Sequence, residues 1–442
     1  MYPASIRAPA GRAYAEIEIR EKSGRRLGVR PFIGESLMLS DGNTAWILTS
    51  TALVLFMTLP GLALFYGGLV HAKNIVSVLM QCFAITALVS VLWTVVGYSL
   101  TFSDGGALQG WIGGVDKAFL AGVGVNTLSG SIPETVFFMF QMTFAIITPA
   151  LIVGAYVERI KFGAAMLFSV LWLMLVYVPV AHWIWGGGWL GEMGVQDFAG
   201  GLVVHLTCGT AAIIAALMLG PRRGFPREMK PPHSPVLVMI GAAMLWVGWY
   251  GFNGGSALAA DGAAGMALTV THISAATAAA TWMFIEWIKY GKPTLVGIAT
   301  GAIAGLATIT PASGFVGPIG GLALGLIAGV LCFLAVNFVK FTLKIDDSLD
   351  VLAVHGIGGT TGSLLVAFFG AVSFGGLGVS EKSISEQFLI QLTGIVATLV
   401  WTAVVTTLIL FAIRSVVGLR VDVEDEIEGL DIITHGEKGY EF

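Results

Sequence analysis

Apolar positions along this chain fall in repeated runs separated by short polar connections. The runs extend over about 18 to 25 residues, enough for an α-helix to cross a hydrocarbon core about 30 Å thick. They predict spans near residues 45–66, 75–100, 134–156, 162–183, 200–219, 235–255, 265–288, 294–311, 317–339, 349–373 and 388–417. Glycine and proline interrupt many of these runs, which membrane helices tolerate where neighbouring helices satisfy the freed backbone groups. The expected architecture is an all-α integral membrane protein with about eleven transmembrane helices.

The polar connections carry a second pattern. Lys73, then Arg159 and Lys161, then Arg222, Arg223, Arg227 and Lys230, then Lys289 and Lys292, Lys340 and Lys344, and Arg414 and Arg420 occupy every second connection. The intervening ones offer only Lys117 and Lys382. Short cytoplasmic loops retain Lys and Arg, so the chain is expected to begin outside and end in the cytoplasm. Against this, Arg7, Arg12, Arg20, Lys22, Arg25, Arg26 and Arg30 precede the first span on the outer side. That segment lacks the apolar core of a signal peptide, whereas Met38 stands directly before the polar run Ser40-Asp41-Gly42-Asn43. Residues 1–37 are read as an atypical basic extension, a misassigned start or a disordered leader.

The spans repeat. Asp197 precedes His205 by eight residues at the fifth, and Asp347 precedes His355 by eight at the tenth. Tyr66-Gly67-Gly68 at the end of the first span is echoed by Asn253-Gly254-Gly255 at the end of the sixth. A unit of five spans has an odd number of crossings, so its second copy must be inverted, the arrangement that builds many transporters around a midplane site. The eleventh, C-terminal helix lies outside this inverted five-helix repeat.

Composition agrees and narrows the function. Of 442 residues, 56% are hydrophobic and 11% charged, against roughly 25% charged in soluble domains. A water-soluble globule is excluded, as the mean hydropathy of +0.85 also indicates. The net charge of −4 comes without any basic cluster interleaved with aromatics, so no nucleic-acid partner is expected. Cys82, Cys208 and Cys332 each sit inside an apolar run without ligand spacing and are read as packing residues.

Ionisable side chains within a span are costly and usually face a protein-lined or wet interior. His205 and His355 are the outstanding pair, because they occupy matching points of the repeat. Gly201 and Gly209 flank the first, Gly356 and Gly359 follow the second, and small residues let helix backbones approach closely. Two adjacent buried imidazoles cannot both be charged cheaply, so the pair is expected to be neutral and joined by one hydrogen bond. Trp249, Phe252 and Ser256 share one helix face by spacing, as do Phe140 and Phe144. Aromatic faces attract a cation, although most aromatics here are expected to pack in the core or at the membrane interface.

In order and spacing these residues resemble the ammonium transporter (Amt/MEP/Rh) family. The resemblance covers nearly everything from Met38 to the C-terminus. It rests on Ala181-His182-Trp183-Ile184-Trp185-Gly186-Gly187-Gly188, on Asp197-Phe198-Ala199-Gly200-Gly201 with His205, on Gly251-Phe252-Asn253-Gly254-Gly255-Ser256, and on Asp350 to Gly356 with His355. It implies ammonium transport across the plasma membrane by a homotrimer, each protomer having its own pore, with methylammonium as an analogue substrate. It also implies an outer recruitment site of Phe144, Trp185 and Ser256, and a stacked phenyl gate of Phe144 and Phe252. Phe140 and Trp249 are implied as pore lining, His205 and His355 as pore histidines, and Asp197 as a structural residue near the site. Retention of both Trp185 and Ser256 resembles the Amt branch.

No catalytic residue, cofactor or metal is expected. An intramembrane enzyme is disfavoured because neither an HExxH site nor a nucleophile and base pairing is present. An ammonium sensor signalling through the tail is the alternative class, and no kinase or cyclase region accompanies the pore. The tail itself, with Asp422, Glu424, Asp425, Glu426 and Glu428 leading into His435-Gly436-Glu437, resembles tails controlled by PII-type signalling proteins. The expected organisation is an extension over 1–37, a membrane domain over 38–418 and a cytoplasmic regulatory tail over 419–442.

Overall fold

The structure is a computed structural model, and it describes residues 38–441. The basic extension over 1–37 lies outside the described residues. Among the described residues, eleven helices are long and apolar enough to cross a membrane: α1 Asp41–Leu69, α2 Ala72–Phe102, α3 Glu134–Tyr156, α4 Phe162–Met193, α5 Gly201–Leu219, α6 Pro235–Gly254, α7 Gly262–Tyr290, α8 Leu295–Ala312, α9 Pro318–Thr342, α10 Leu352–Phe369 and α11 Ile384–Val416. They match the spans expected from the hydrophobic pattern in number and order. The boundaries shift where polar caps act. Ser40 accepts from the Asn43 amide ahead of α1, Asp261 from the Ala263 and Ala264 amides ahead of α7, and Ser383 with Glu386 forms a reciprocal capping box on α11. One short hairpin, Leu128–Ser129 against Ile132–Pro133, decorates the connection before α3.

Helices α1–α5 and α6–α10 are the two five-helix units, and α11 packs along α5 and α10. The equivalent helices α5 and α10 both open with a π-helical turn, Gly201–Leu206 and Leu352–Ile357, and each of those turns carries one of the histidines. A π-turn adds a residue to the helical repeat and often marks a functional site. The glycines beside the histidines set how closely the two helices cross. A Cβ on Gly209 would stand 2.3 Å from the Gly356 Cα, and one on Gly359 would stand 2.6 Å from the His205 Cβ.

The end of the bundle that carries the tail gathers the basic connections. Arg159 is fully buried, and its guanidinium donates to the carbonyls of Ala155, Val157, Gly220 and Asp346 and to the Ser348 hydroxyl. Arg222 pairs with Asp346 at 2.9 Å and with Glu158 at 2.8 Å. Burial pushes the Glu158 carboxyl up, but the His71 hydrogen bond and the Arg222 charge outweigh it and hold the group well below the ordinary carboxylate range. The tail folds back on this end through α12 Val423–Glu428. Asp431 accepts from the Ser77 amide at 2.8 Å, the Leu430 amide donates to Asn74 at 2.8 Å, and Lys73 caps the Glu426 and Ile427 carbonyls.

Candidate functional site

The site is assembled where α5 and α10 begin. Ahead of α5, Gly200 takes a left-handed backbone with φ of 112°, a conformation glycine adopts without a steric penalty. That turn aims four successive amides at one carboxylate: Asp197 Oδ1 accepts from Gly200 and Gly201 at 2.9 and 2.6 Å, and Oδ2 from Leu202 and Val203 at 2.8 and 3.1 Å. These are the donors that a helix start leaves without partners, and the helix dipole favours an anion there. At the matching point ahead of α10, Asp347 accepts from the Leu352 amide at 2.7 Å. Burial pushes both carboxyls up, that of Asp347 to about 7 with a further push from Asp350, while backbone amides oppose the shift at each.

His205 and His355 meet between these capped turns. Their Nδ1 atoms are 3.2 Å apart and the rings are nearly parallel, at 24° with centroids separated by 5.2 Å. Both are almost wholly buried, at 1% and 4% exposure. An imidazole with a protonated Nδ1 can donate to a bare Nδ1 on its neighbour, so this geometry fits one proton shared by a neutral pair.

The aromatic residues continue the line away from the histidines. Phe252 stacks against His205 at 6.2 Å and against Phe144 at 4.3 Å, the latter tilted by 30°. Phe144 then meets Trp185 edge-on at 5.9 Å and Phe140 at 5.0 Å. Trp249 lies flat against His205 at 5.6 Å, held by its indole N–H donating to the Thr310 hydroxyl at 2.8 Å. Ser256, one turn after Phe252, donates to the Phe252 carbonyl at 2.8 Å and thereby keeps its lone pairs free to accept. Asp197 takes a supporting position: its carbonyl accepts from the Trp185 indole at 2.9 Å, while its carboxylate is committed to the four amides.

Three cavities run along this line. One of about 280 Å³ is bordered by Trp185, Gly186, Tyr98, Lys117 and Glu134. A constricted one of about 10 Å³ is lined by both histidines with Trp249, Phe252, Ile147 and Leu151, and its volume is close to the minimum that holds one water. The third, of about 170 Å³, shares His355, Phe65 and Ile303 with the constriction and opens among Arg222, Lys340 and Asp350. Polar, charge-bearing mouths therefore flank a narrow apolar middle whose titratable lining is the histidine pair.

The seven aromatic and histidine side chains expected at the site are brought into one continuous contact path, and Ser256 and Asp197 border it. Sequence reasoning missed the Lys117–Glu134 ion pair beside Tyr98, the Lys340–Asp350 pair at the opposite mouth, and Cys208, which packs under His205. Each charged pair joins a loop residue to a helix end or another loop, and no periodicity connects them. For Cys208 the three-residue spacing from His205 was a visible signal, but its second neighbour, His355, is distant in the chain.

Comparison with known proteins is consistent at every level. The family model described as Ammonium Transporter Family matches residues 45–440. The ammonium transporter of Aquifex aeolicus is 46% identical over 404 residues, covering 91% of this chain and 94% of that protein. Among solved structures, a protein titled Sensor Amt Protein superposes with a TM-score of 0.83 at 31% identity, covering 89% of this chain and 98% of its own. Saccharomyces cerevisiae Mep2 gives a TM-score of 0.80 at 36% identity, covering 88% and 90%. With eleven spanning helices and a family match over nearly the whole described chain, this multi-pass membrane protein belongs to the ammonium transporter family, a family of transporters and not of enzymes.

Proposed function

We propose that the chain carries ammonium-derived nitrogen across the plasma membrane through the conduit between its two five-helix halves. The observation that carries this reading is the unbroken path of contacting rings from the half-buried Trp185 through the buried Phe144 and Phe252 to His205 and His355. Ammonium is recruited on the Trp185 side, where the indole and phenyl faces attract the cation and the Ser256 hydroxyl accepts from it. Approach to the stacked Phe144 and Phe252 rings strips the ion of water ahead of the apolar space of about 10 Å³ at the histidines, and that desolvation favours release of its proton. Ammonia then passes the Phe144–Phe252 pair and moves along the imidazoles, each of which offers a nitrogen to a small donor and acceptor.

The alternation of basic connections supports an outside N-terminus and a cytoplasmic C-terminus. The docked acidic tail over 419–442 supports regulation by a PII-type protein, and the resemblance supports a homotrimer with one conduit in each protomer. The test is methylammonium uptake into protein-only liposomes with current recorded alongside. His205→Ala and His355→Ala are expected to reduce uptake at least tenfold, and uptake unchanged by either replacement overturns an essential role for the pair. A second reading, ammonium sensing, is favoured by the likeness to the protein titled Sensor Amt Protein. It predicts substrate binding without flux in the same vesicles.

A further inference from the structure

Cys208 lies one helical turn beyond His205, fully buried and in no disulfide. Its thiol donates to the His205 carbonyl at 3.4 Å. One donor atom each from His205, Cys208 and His355 lies within 4.8 Å of the other two. A second observation concerns the same ring: His205 Nε2 is buried without a hydrogen-bond partner, so it is free to carry the ring proton when Nδ1 binds an ion, and the constriction that both imidazoles line has a volume of about 10 Å³. The sequence pattern, which presents Cys208 as a packing residue and no metal ligand set, does not reveal this cluster because His355 lies 150 positions from His205.

We propose that His205, Cys208 and His355 form a binding site for a soft monovalent d¹⁰ cation, Ag(I) or Cu(I), that blocks the conduit at its narrowest point. The donor set carries the assignment, because thiolate with imidazole selects soft metals over Mg(II), Ca(II) or Mn(II). The geometry is close to what such an ion needs. The 3.2 Å between the Nδ1 atoms compares with about 3.3 Å for two imidazoles at the zinc distance of about 2.05 Å in a tetrahedral site, and a larger monovalent ion needs the two rings to part slightly. Charge then selects the valence. A monovalent ion with one thiolate and two neutral imidazoles is a neutral unit, whereas a divalent ion leaves one net positive charge in an apolar space, which is costly. Binding is ligand exchange without redox: the S–H bond of Cys208 breaks and its proton leaves through the flanking cavity, the proton held between the two Nδ1 atoms moves to the Nε2 of the ring that carried it, and one metal–sulfur and two metal–nitrogen bonds form.

The test uses detergent-purified full-length protein loaded with silver nitrate in chloride-free buffer, desalted, and assayed for silver per chain by mass spectrometry. Wild type is expected to retain one tightly held silver more than Cys208→Ala, and Cys208→Ser is expected to weaken retention at least tenfold. Cys82→Ala and Cys332→Ala are expected to retain silver as wild type does. Equal retention by C208A and wild type overturns the site, as does loss of that silver in C82A or C332A. Zinc retained as tightly as silver overturns the choice of a monovalent ion. In liposomes, with uptake normalised to each variant's metal-free rate, C208A is expected to require at least tenfold more silver for half-inhibition, and equal sensitivity overturns the block. Silver retention is read without any transport, so its failure is distinguishable from failure of the transport reading.

Discussion

At the scale of single residues, the site separates groups that would touch the substrate from groups that hold those in place. In the proposed function, Trp185 is in the first class. A desolvated cation over an aromatic face gains about 0.5 to 2 kcal/mol, so Trp185→Leu is expected to raise half-saturating methylammonium by about 2- to 30-fold. Uptake kinetics in liposomes check this, and an unchanged half-saturation shows that the indole does not recruit the ion. Asp197 is in the second class. Its removal orphans four buried amides, each costing about 1 to 3 kcal/mol when left unsatisfied. Asp197→Ala is therefore expected to lower the thermal midpoint in detergent more than Asp197→Asn, which keeps one acceptor oxygen. Equal midpoints would assign the carboxylate a role other than capping. The identity of the histidines was legible in the sequence because charge-capable residues inside apolar runs are conspicuous. Thr310, which fixes the Trp249 indole, was not, since a threonine in a membrane helix most often bonds its own backbone, as Thr310 also does at 2.7 Å to the Leu306 carbonyl.

Two elements, the opening turns of α5 and α10, decide whether the imidazoles meet. Gly209 faces Gly356 backbone to backbone, and a Cβ there would stand 2.3 Å from the neighbouring Cα, a clash that no side-chain rotation relieves. Gly209→Val is expected to drive the helices apart and to cut uptake at least tenfold. A wild-type uptake rate in a correctly inserted G209V protein refutes the close approach as a requirement. The turn before α10 also carries a pH signature. Burial, with Asp350 beside it, pushes the Asp347 carboxyl up to about 7, so the native state holds that proton more tightly than the unfolded chain does. Its contribution to stability is complete below the ordinary carboxylate pKa of about 4 and is lost as pH rises through the raised value. Asp347→Asn keeps an acceptor for the Leu352 amide and is expected to flatten the fall in thermal midpoint between pH 4 and about 7. A wild-type slope in D347N would locate the titration elsewhere. The helices were legible from the length of their apolar runs, whereas the π-turns were not: adding one residue to a turn leaves hydropathy unchanged, and what selects the turn is the fit against a neighbouring helix.

For the whole molecule, the tail is the feature that joins distant parts of the chain. It reaches the start of α2 through Asp431 on the Ser77 amide and returns to the α4 end, where His435 packs edge-on against Phe162 at 5.1 Å. Asp431→Ala orphans a buried amide at a cost of about 1 to 3 kcal/mol, and cleavage of the tail by trypsin is expected to accelerate by about tenfold. Cleavage at the wild-type rate would mean that the other contacts alone hold the tail. If a PII-type protein regulates the chain as proposed, its binding is expected to depend on residues 419–442, and binding that survives their deletion refutes regulation through the tail.

By itself, the sequence determined the solvent, the number of crossings, the inverted repeat and the histidine pair. These follow from quantities local to the chain: the length of an apolar run, the placement of Lys and Arg, and a matching interval of eight residues between Asp197 and His205 and between Asp347 and His355. Only the tertiary structure decided how narrow the space at the histidines is, which aromatics stack beside it, and that a third donor, Cys208, lies beside the two imidazoles. Those depend on backbone approach to within a few ångströms between helices far apart in sequence, which glycine contacts and buried hydrogen bonds fix and no single segment encodes.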